Sequence, residues 1–177
     1  AGIHVFGPSA AAARIEASKA FSKDFMIRHS IPTARHANFT SYEDACAYVL
    51  QTDHDVVIKA SGLAAGKGVI IPSNKDEALQ ALRDVMVSKR FGDSGETVVI
   101  EERMVGEEAS CLAFCDGKHA VLMPASQDHK RIHDGDKGPN TGGMGAYSPA
   151  PVVTQDIHDR IMQEVIMPTV NGMAAEG

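Results

Sequence analysis

Hydrophobic and polar positions follow two rhythms along this chain, a helical spacing of three to four and a strand spacing of two. Ile3-His4-Val5-Phe6 predicts a strand, and Gly7-Pro8 a turn after it. Ser9 suits the N-cap of a helix running to about His29, with Ala10, Ala13, Ala17, Phe21 and Phe25 at its apolar positions. Pro32 closes that unit, and Ser41 caps a short helix carrying Ala45, Tyr48 and Val49. Val56 to Ala60 is a strand by its β-branched content. A glycine-rich run from Ser61 to Gly68 follows, then a second strand through Ile71.

Asn74-Lys-Asp-Glu77 is a capping box, and the helix it opens turns Ala78, Leu82, Val85 and Met86 inward as far as about Lys89. Thr97 to Glu101 is another strand. Gly106 marks a turn into a strand over Ala109 to Cys115, and Asp116-Gly117 signals a hairpin with its partner at His119 to Met123. Residues 124–150 show neither period and are rich in Gly and Pro; a stretch of that length in a compact domain is usually functional or disordered. Thr154 caps a last helix, interrupted or stopped near Pro168. Hairpins and helices interleave without regular strand–helix alternation, so the fold class is α+β, built of two or three small lobes.

Composition narrows the classes further. The chain has 177 residues, 44% of them hydrophobic and 23% charged, with a formal net charge of -6. It can bury a core without staples, and its ordinary apolar content and modest charge disfavour disorder. No apolar run approaches the roughly 20 residues of a membrane helix. The acidic balance, the absence of Trp and an aromatic content of 5% argue against a nucleic-acid platform. The three cysteines, Cys46, Cys111 and Cys115, are too few for a disulfide framework and favour reduced thiols in a cytoplasmic setting. Four apart, Cys111 and Cys115 fall on one strand face and read as core.

Three strings carry chemistry. In Lys59-Ala-Ser-Gly62-Leu-Ala-Ala-Gly66-Lys67-Gly68 a lysine ends one strand and a glycine loop leads into the next. Such a loop lets backbone N–H groups approach anionic oxygens. It is a phosphate clamp, or else a plain hairpin loop with solvated lysines. It is not a Walker A loop, since three residues separate Gly62 from Gly66 and Gly68 follows Lys67. In Glu101-Glu102-Arg103-Met104-Val105-Gly106-Glu107-Glu108, four carboxylates repel one another unless a cation or a hydrogen-bond donor uses them. A carboxylate there can accept from an exocyclic amine or a ribose hydroxyl pair while Met104 covers a ring face; a solvated acidic turn is the plainer reading. In the third string, Gln127-Asp128-His129-Lys130-Arg131 precedes a stretch holding Gly135, Gly138, Gly142, Gly143 and Gly145, a combination suited to an anion held by amides. His129 and His133 are four apart but read as solvated or phosphate-facing, because the segment is not helical and no third metal ligand is evident. The small residues on both sides of Met144 suggest tight backbone approach to something.

Taken together, these strings resemble the ATP-grasp ligases, and among them the glycinamide ribonucleotide synthetases (phosphoribosylamine–glycine ligases). The carriers are Gly7-Pro8 through Glu16-x-Ser18-Lys19, Val57 to Val69, Glu101-Glu102 with Gly106 to Ser110, Ser126 to Arg131, and Gly138 to Pro151. The resemblance implies an ATP-grasp fold, two small α+β lobes with the nucleotide between them, incomplete at both ends. Residues 1–36 would be the tail of an N-terminal substrate lobe, 37–103 the small lid lobe, and 104–177 the first part of the larger lobe. It implies an ATP-dependent ligase of purine biosynthesis with glycine and 5-phosphoribosylamine as substrates, in some relatives one part of a multifunctional chain with other purine-synthesis domains.

The roles it implies follow position by position. Lys19 and Lys59 match the phosphate-facing lysines, and Gly66, Lys67 and Gly68 the mobile loop over the nucleotide. Glu101, Glu102, Arg103 and Met104 match the adenine-reading strand, and Glu108 the ribose carboxylate. Arg131 and Asn140 match catalytic positions near the ATP phosphates. Asp128, Gly142, Gly143, Met144 and Gly145 would lie at the substrate end. The family's magnesium ligands are expected downstream of Gly177, with none within this chain; Asp156, Asp159 and Glu164 fall on helical positions and substitute poorly. An internal fragment of this kind is expected to be inactive alone and to bind ATP weakly. Two alternatives remain open at this point: another ATP-grasp carboxylate–amine ligase, or a noncatalytic ATP-binding module.

Overall fold

The computed structural model describes residues 2, 6–64, 66–135 and 137–177, with Asn140 described by its backbone alone. The strand expected at residues 3–6 lies outside the described residues except for Phe6, which belongs to no element. The chain divides into two compact units, residues 1–104 and 105–176.

The first unit opens with α1 (Arg14–Ala17) and α2 (Lys19–Arg28) where the spacing predicts one helix from Ser9. The break is at Ser18, whose extended backbone ends α1 and whose hydroxyl caps α2 by accepting from the Phe21 amide. Ser and Thr compete for backbone donors and so favour caps over helix interiors. Then come β1 (His36–Phe39), α3 (Tyr42–Gln51), β2 (Val56–Ala60), β3 (Val69–Ile70), α4 (Lys75–Leu82) and β4 (Val98–Glu102). The Ser41 and Asn74 caps form as the sequence requires, on the amides of Asp44 and Glu77. Glu77 reaches back to the Ser73 amide at 2.8 Å. Instead of continuing regularly to Lys89, α4 widens into π-type turns over Arg83–Val87.

The four strands form one antiparallel sheet in the order β1-β4-β2-β3. Period-two alternation gives its faces opposite tasks. Val56, Ile58 and Ala60 of β2 and Val98 and Ile100 of β4 meet Ala45 and Val49 of α3 and Ala78, Ala81 and Leu82 of α4 in the core. The register pairs Val57 with Glu101 and Lys59 with Val99 on the opposite face, where α2 packs against β4. A core position and a charged site are thus one residue apart on each central strand.

In the second unit, β5 (Ala113–Cys115) and β6 (Ala120–Leu122) form the hairpin signalled by Asp116-Gly117. Its loop is Asp116–His119, closed by the Asp116 carboxylate, which accepts from the Lys118 and His119 amides at 2.9 and 2.7 Å. The expected strand over 109–115 is shorter; upstream only Ser110 pairs, with Ser126, as an isolated bridge. The cysteines correct the core reading: Cys111 is half-buried and Cys115 exposed, because β5 belongs to a two-stranded sheet.

Residues 124–150 are more ordered than their lack of period suggests. β7 (Gln127–Asp128) pairs with β10 (Ala146–Tyr147), and inside that pair β8 (Arg131–His133) joins β9 (Lys137–Asn140). The result is a hairpin nested within a hairpin. Ladders of two to four residues, one with a register irregularity, are too short to show alternation.

The last helix also departs from expectation. It begins as α5 (Gln155–Arg160), capped by Thr154, widens into π-type turns over Ile161–Ile166 and continues as α6 (Met167–Glu176). Pro168 therefore does not stop it. Proline lacks an N–H and crowds the carbonyl four residues before it. Here that carbonyl belongs to Glu164, inside the widened turns, a common setting for π-bulges.

Leu82 is fully buried between the sheet and α3. Leu82→Ala is expected to cost about 2–5 kcal/mol, and Asn74→Ala, which removes only the α4 cap, about 1 kcal/mol. Urea unfolding of both variants checks this ordering; equal losses would contradict the assigned core.

Candidate functional site

The glycine loop and its lysines come together in the first unit. Lys19, the first residue of α2, donates from Nζ to the Gly62 carbonyl at 3.2 Å, while its backbone N–H donates to Ser61 O at 2.9 Å. The Ser61 hydroxyl is buried and accepts from the Ala20 amide at 3.1 Å. The start of α2 is thereby pinned to the start of the loop. Gly62 is dictated by close approach, since a Cβ there would lie 2.7 Å from the Ser94 backbone. The far end is equally tight: a Cβ on Gly68 would meet Ala64 Cβ at 2.7 Å. Between these anchored ends Gly66 and Lys67 are exposed.

Lys59 points away from the core and donates to Glu101 Oε2 at 2.9 Å. The same oxygen lies 3.1 Å from Nζ of Lys23, which also donates to Thr33 Oγ1 at 2.6 Å. Side-chain exposure grades the three: 6% for Glu101, 11% for Lys23 and 28% for Lys59. Removing a carboxylate this buried from water costs several kcal/mol unless cations match it. Two ammonium groups on one carboxylate leave a surplus positive charge, and the more exposed lysine stands at the end of β2, next to the loop. That arrangement suits an anion with several oxygens.

The rest of the expected adenine-reading segment is a strand end turning toward solvent. Glu102 pairs with Arg35, accepting from its Nε at 2.7 Å and its backbone N–H at 3.0 Å. These bonds hold the Glu102 carboxyl below its ordinary range. Arg103 is exposed, with its amide on Asp55 O at 2.8 Å, and Met104 is 72% exposed. Two of the four clustered carboxylates are therefore accounted for by cations.

The second unit holds the remaining candidates. Glu108 accepts from Nζ of Lys130, and Asp128 Oδ2 lies 3.7 Å from the same nitrogen. The Glu108 carboxylate holds the Lys130 ammonium above its ordinary range. Arg131 and Asn140 are directly opposed in the β8–β9 register. Arg131 Nη1 reaches the Gly138 carbonyl at 3.5 Å. Gly138 has φ +83°, and a Cβ there would collide with the His133 ring at 2.5 Å, so this turn demands glycine. At Gly142, Gly143 and Gly145 a Cβ would meet nothing within 4 Å, so no protein group crowds the backbone around Met144. His129 lies beside the Tyr147 ring, with centroids 5.4 Å apart. The Tyr147 hydroxyl donates to the buried Gln127 carbonyl oxygen at the base of the nested hairpin.

Among the described residues no group of three or more His, Cys, Asp or Glu side chains converges. Asp159 accepts from Gln155 at 2.8 Å, and Glu164 takes two hydrogen bonds from Arg160. Asp159 and Glu164 are thus engaged by neighbouring side chains and do not fit a magnesium ion. No helix among the described residues is long and apolar enough to cross a membrane. Sequence reasoning missed Lys23, Thr33 and Arg35, and the pairing of Lys130 with Glu108. The available signal was the carboxylate cluster itself, which required cations, and the helical spacing of Lys19 and Lys23.

Comparison with known proteins places the chain in a family. Residues 17–177 match the family described as phosphoribosylglycinamide synthetase, ATP-grasp (A) domain. The chain is 59% identical over all 177 residues to the phosphoribosylamine–glycine ligase of Vibrio vulnificus. It is 58% identical over 177 residues to a bifunctional purine biosynthetic protein of Pichia angusta, of which it covers 22%. It superimposes on the crystal structure of phosphoribosylamine–glycine ligase from Thermotoga maritima with a TM-score of 0.86 at 36% identity, over 98% of this chain and 44% of that one. The chain spans 41% of the length of the Vibrio relative.

The Arg35–Glu102 pair has a consequence for acid stability. A carboxyl whose pKa is lowered on folding stabilises the fold above the ordinary glutamate value of 4.5, and that contribution is lost as pH falls through the lowered folded value. Glu102→Gln is expected to flatten part of the stability loss below pH 4.5 and to leave the pH 5–7 region without slope from this group. Urea midpoints measured from pH 2 to 7 check it; an unchanged acid limb would remove the pair from the account.

Proposed function

Because the chain belongs to the phosphoribosylglycinamide synthetase ATP-grasp (A) domain family, we propose that it forms part of a ligase that joins glycine to 5-phosphoribosylamine at the expense of ATP, giving glycinamide ribonucleotide, ADP and phosphate. The observation that carries this reading is the pairing of Lys19 with the Gly62 carbonyl and of Lys59 with Glu101, which places two lysines at the anchored start of a glycine loop.

ATP supplies the phosphoryl group that activates the glycine carboxylate as glycyl phosphate, which the amine of phosphoribosylamine then attacks. This chemistry asks the protein for charge neutralisation, positioning and exclusion of water, with no protein nucleophile. Lys19 and Lys59 neutralise phosphate oxygens, and the loop of Gly66, Lys67 and Gly68, exposed at Gly66 and Lys67 and anchored at the buried Gly68, covers the nucleotide. Glu101, Glu102, Arg103 and Met104 hold adenine, and Glu108 accepts from the ribose hydroxyls after giving up Lys130. Arg131 and Asn140, held opposite each other by their strand pairing, face the phosphates. Asp128 and the Gly142 to Gly145 segment receive the glycine and amine end. Magnesium is part of the reading, with ligands outside this chain. The bifunctional relative supports further purine-synthesis domains in the parent protein, and a cytoplasmic setting is proposed with them.

Phosphate release by the full-length parent protein is expected to require ATP, glycine and phosphoribosylamine together, while the 177-residue chain alone is expected to be inactive. Lys59→Met is expected to weaken ATP binding by at least about tenfold, equivalent to about 1.4 kcal/mol, with the thermal midpoint measured alongside. Unchanged ATP affinity in that variant, or phosphate release independent of glycine, would defeat the reading.

A further inference from the structure

One buried ionic group has no role in the reaction described above. Lys23 lies on α2 with its side chain 11% exposed, and its Nζ bridges Thr33 Oγ1 at 2.6 Å and Glu101 Oε2 at 3.1 Å. Lys59 meets that same oxygen from the outer side at 2.9 Å with 28% of its side chain exposed. The two lysines are thus unequal. Lys23 is the inner cation, tethered by a hydroxyl on the segment that follows α2. Lys59 is the outer cation, with solvent beside it.

A buried carboxylate stripped of its only counter-ion is strongly disfavoured. If Lys59 were the sole partner of Glu101, moving it toward another anion would strand that charge. With Lys23 in place the carboxylate remains matched when Lys59 leaves. We propose that Lys23 is a positioning residue that keeps Glu101 neutralised and so releases Lys59 to the phosphates of a nucleoside triphosphate. This rests on the ATP reading above and adds a residue and a reason. Lys23 does not touch the nucleotide; it acts through Glu101. Glu101 in turn serves as the resting place of Lys59 before the anion arrives.

The test measures binding of ATP and of inorganic tripolyphosphate to the full-length parent protein by equilibrium dialysis, with thermal midpoints for every variant. Tripolyphosphate isolates the lysine from any adenine contact of Glu101. Lys23→Met is expected to weaken both ligands at least about tenfold, because Lys59 is then the only cation left on a buried carboxylate. Lys23→Arg, which keeps the charge, is expected to stay within about threefold of wild type. Lys23→Met with Glu101→Gln is expected to bind tripolyphosphate more tightly than Lys23→Met alone, since nothing then detains Lys59. Lys23→Gln, with a polar head for Thr33 and no charge, serves in place of Lys23→Met where that variant does not fold. A wild-type chain that binds neither ligand would refute the ATP reading. A wild type that binds both, with Lys23→Met and Lys23→Gln unchanged, would refute the role of Lys23 alone. Failure of Glu101→Gln to restore tripolyphosphate binding would refute it too.

Discussion

A carboxylate removed from water must be met by cations, and at Glu101 that requirement ties three elements together. The residue sits on the central strand β4, while its partners come from β2 and α2. Lys59 is fixed by the β2–β4 register, one residue away from the core positions Ile58 and Ala60. Lys23 fixes the rotation of α2 about its axis, and that rotation brings Lys19 to the Gly62 carbonyl. Loop, helix and strand thus share one electrostatic reference point. The opposite face of the same sheet supplies the apolar burial that keeps the strands in register.

The second unit achieves its geometry by other means. It has few buried side chains, and its short ladders are held by turns, by the Tyr147–Gln127 hydrogen bond and by a glycine at 138 that the His133 ring makes obligatory. The pairing of Arg131 with Asn140 follows from backbone register rather than packing. The carboxylates of Glu108 and Asp128 gather on one lysine, so the charge here stays near the surface. An interior pair in the first unit and a surface pair in the second respond differently to salt, because exposed charges are screened while buried ones are not.

Elements whose causes are local were legible in the sequence. The caps at Ser41, Asn74 and Thr154 each depend on one side chain and an amide three residues on. The strands at Val56 and Val98 announce themselves by runs of β-branched residues. What escaped depended on residues far apart in sequence. Nothing near Glu101 names Lys23 as its partner, and nothing near Asp128 announces a strand pair with Ala146. The π-type turns before Pro168 preserve a helix that the proline alone would end. Cys115 looks like a core residue in its own strand and is exposed because its sheet has only two strands. The repulsion among the four carboxylates between Glu101 and Glu108 leaves both a solvated turn and a cation-matched cluster open in sequence, and the cations at Glu101, Glu102 and Glu108 are visible only in three dimensions.

Nesting one hairpin inside another makes mechanical distance differ from distance along the chain. The inner ladder of Arg131–His133 with Lys137–Asn140 joins the chain through the residue pairs at Gln127–Asp128 and Ala146–Tyr147, and Lys130 beside it meets Glu108. Those pairs act as a wrist: a change of twist there turns the opposed backbones of Arg131 and Asn140 together, because the inner ladder joins them. Sequence drift at the wrist would therefore re-aim the whole hand without altering the grip between its fingers.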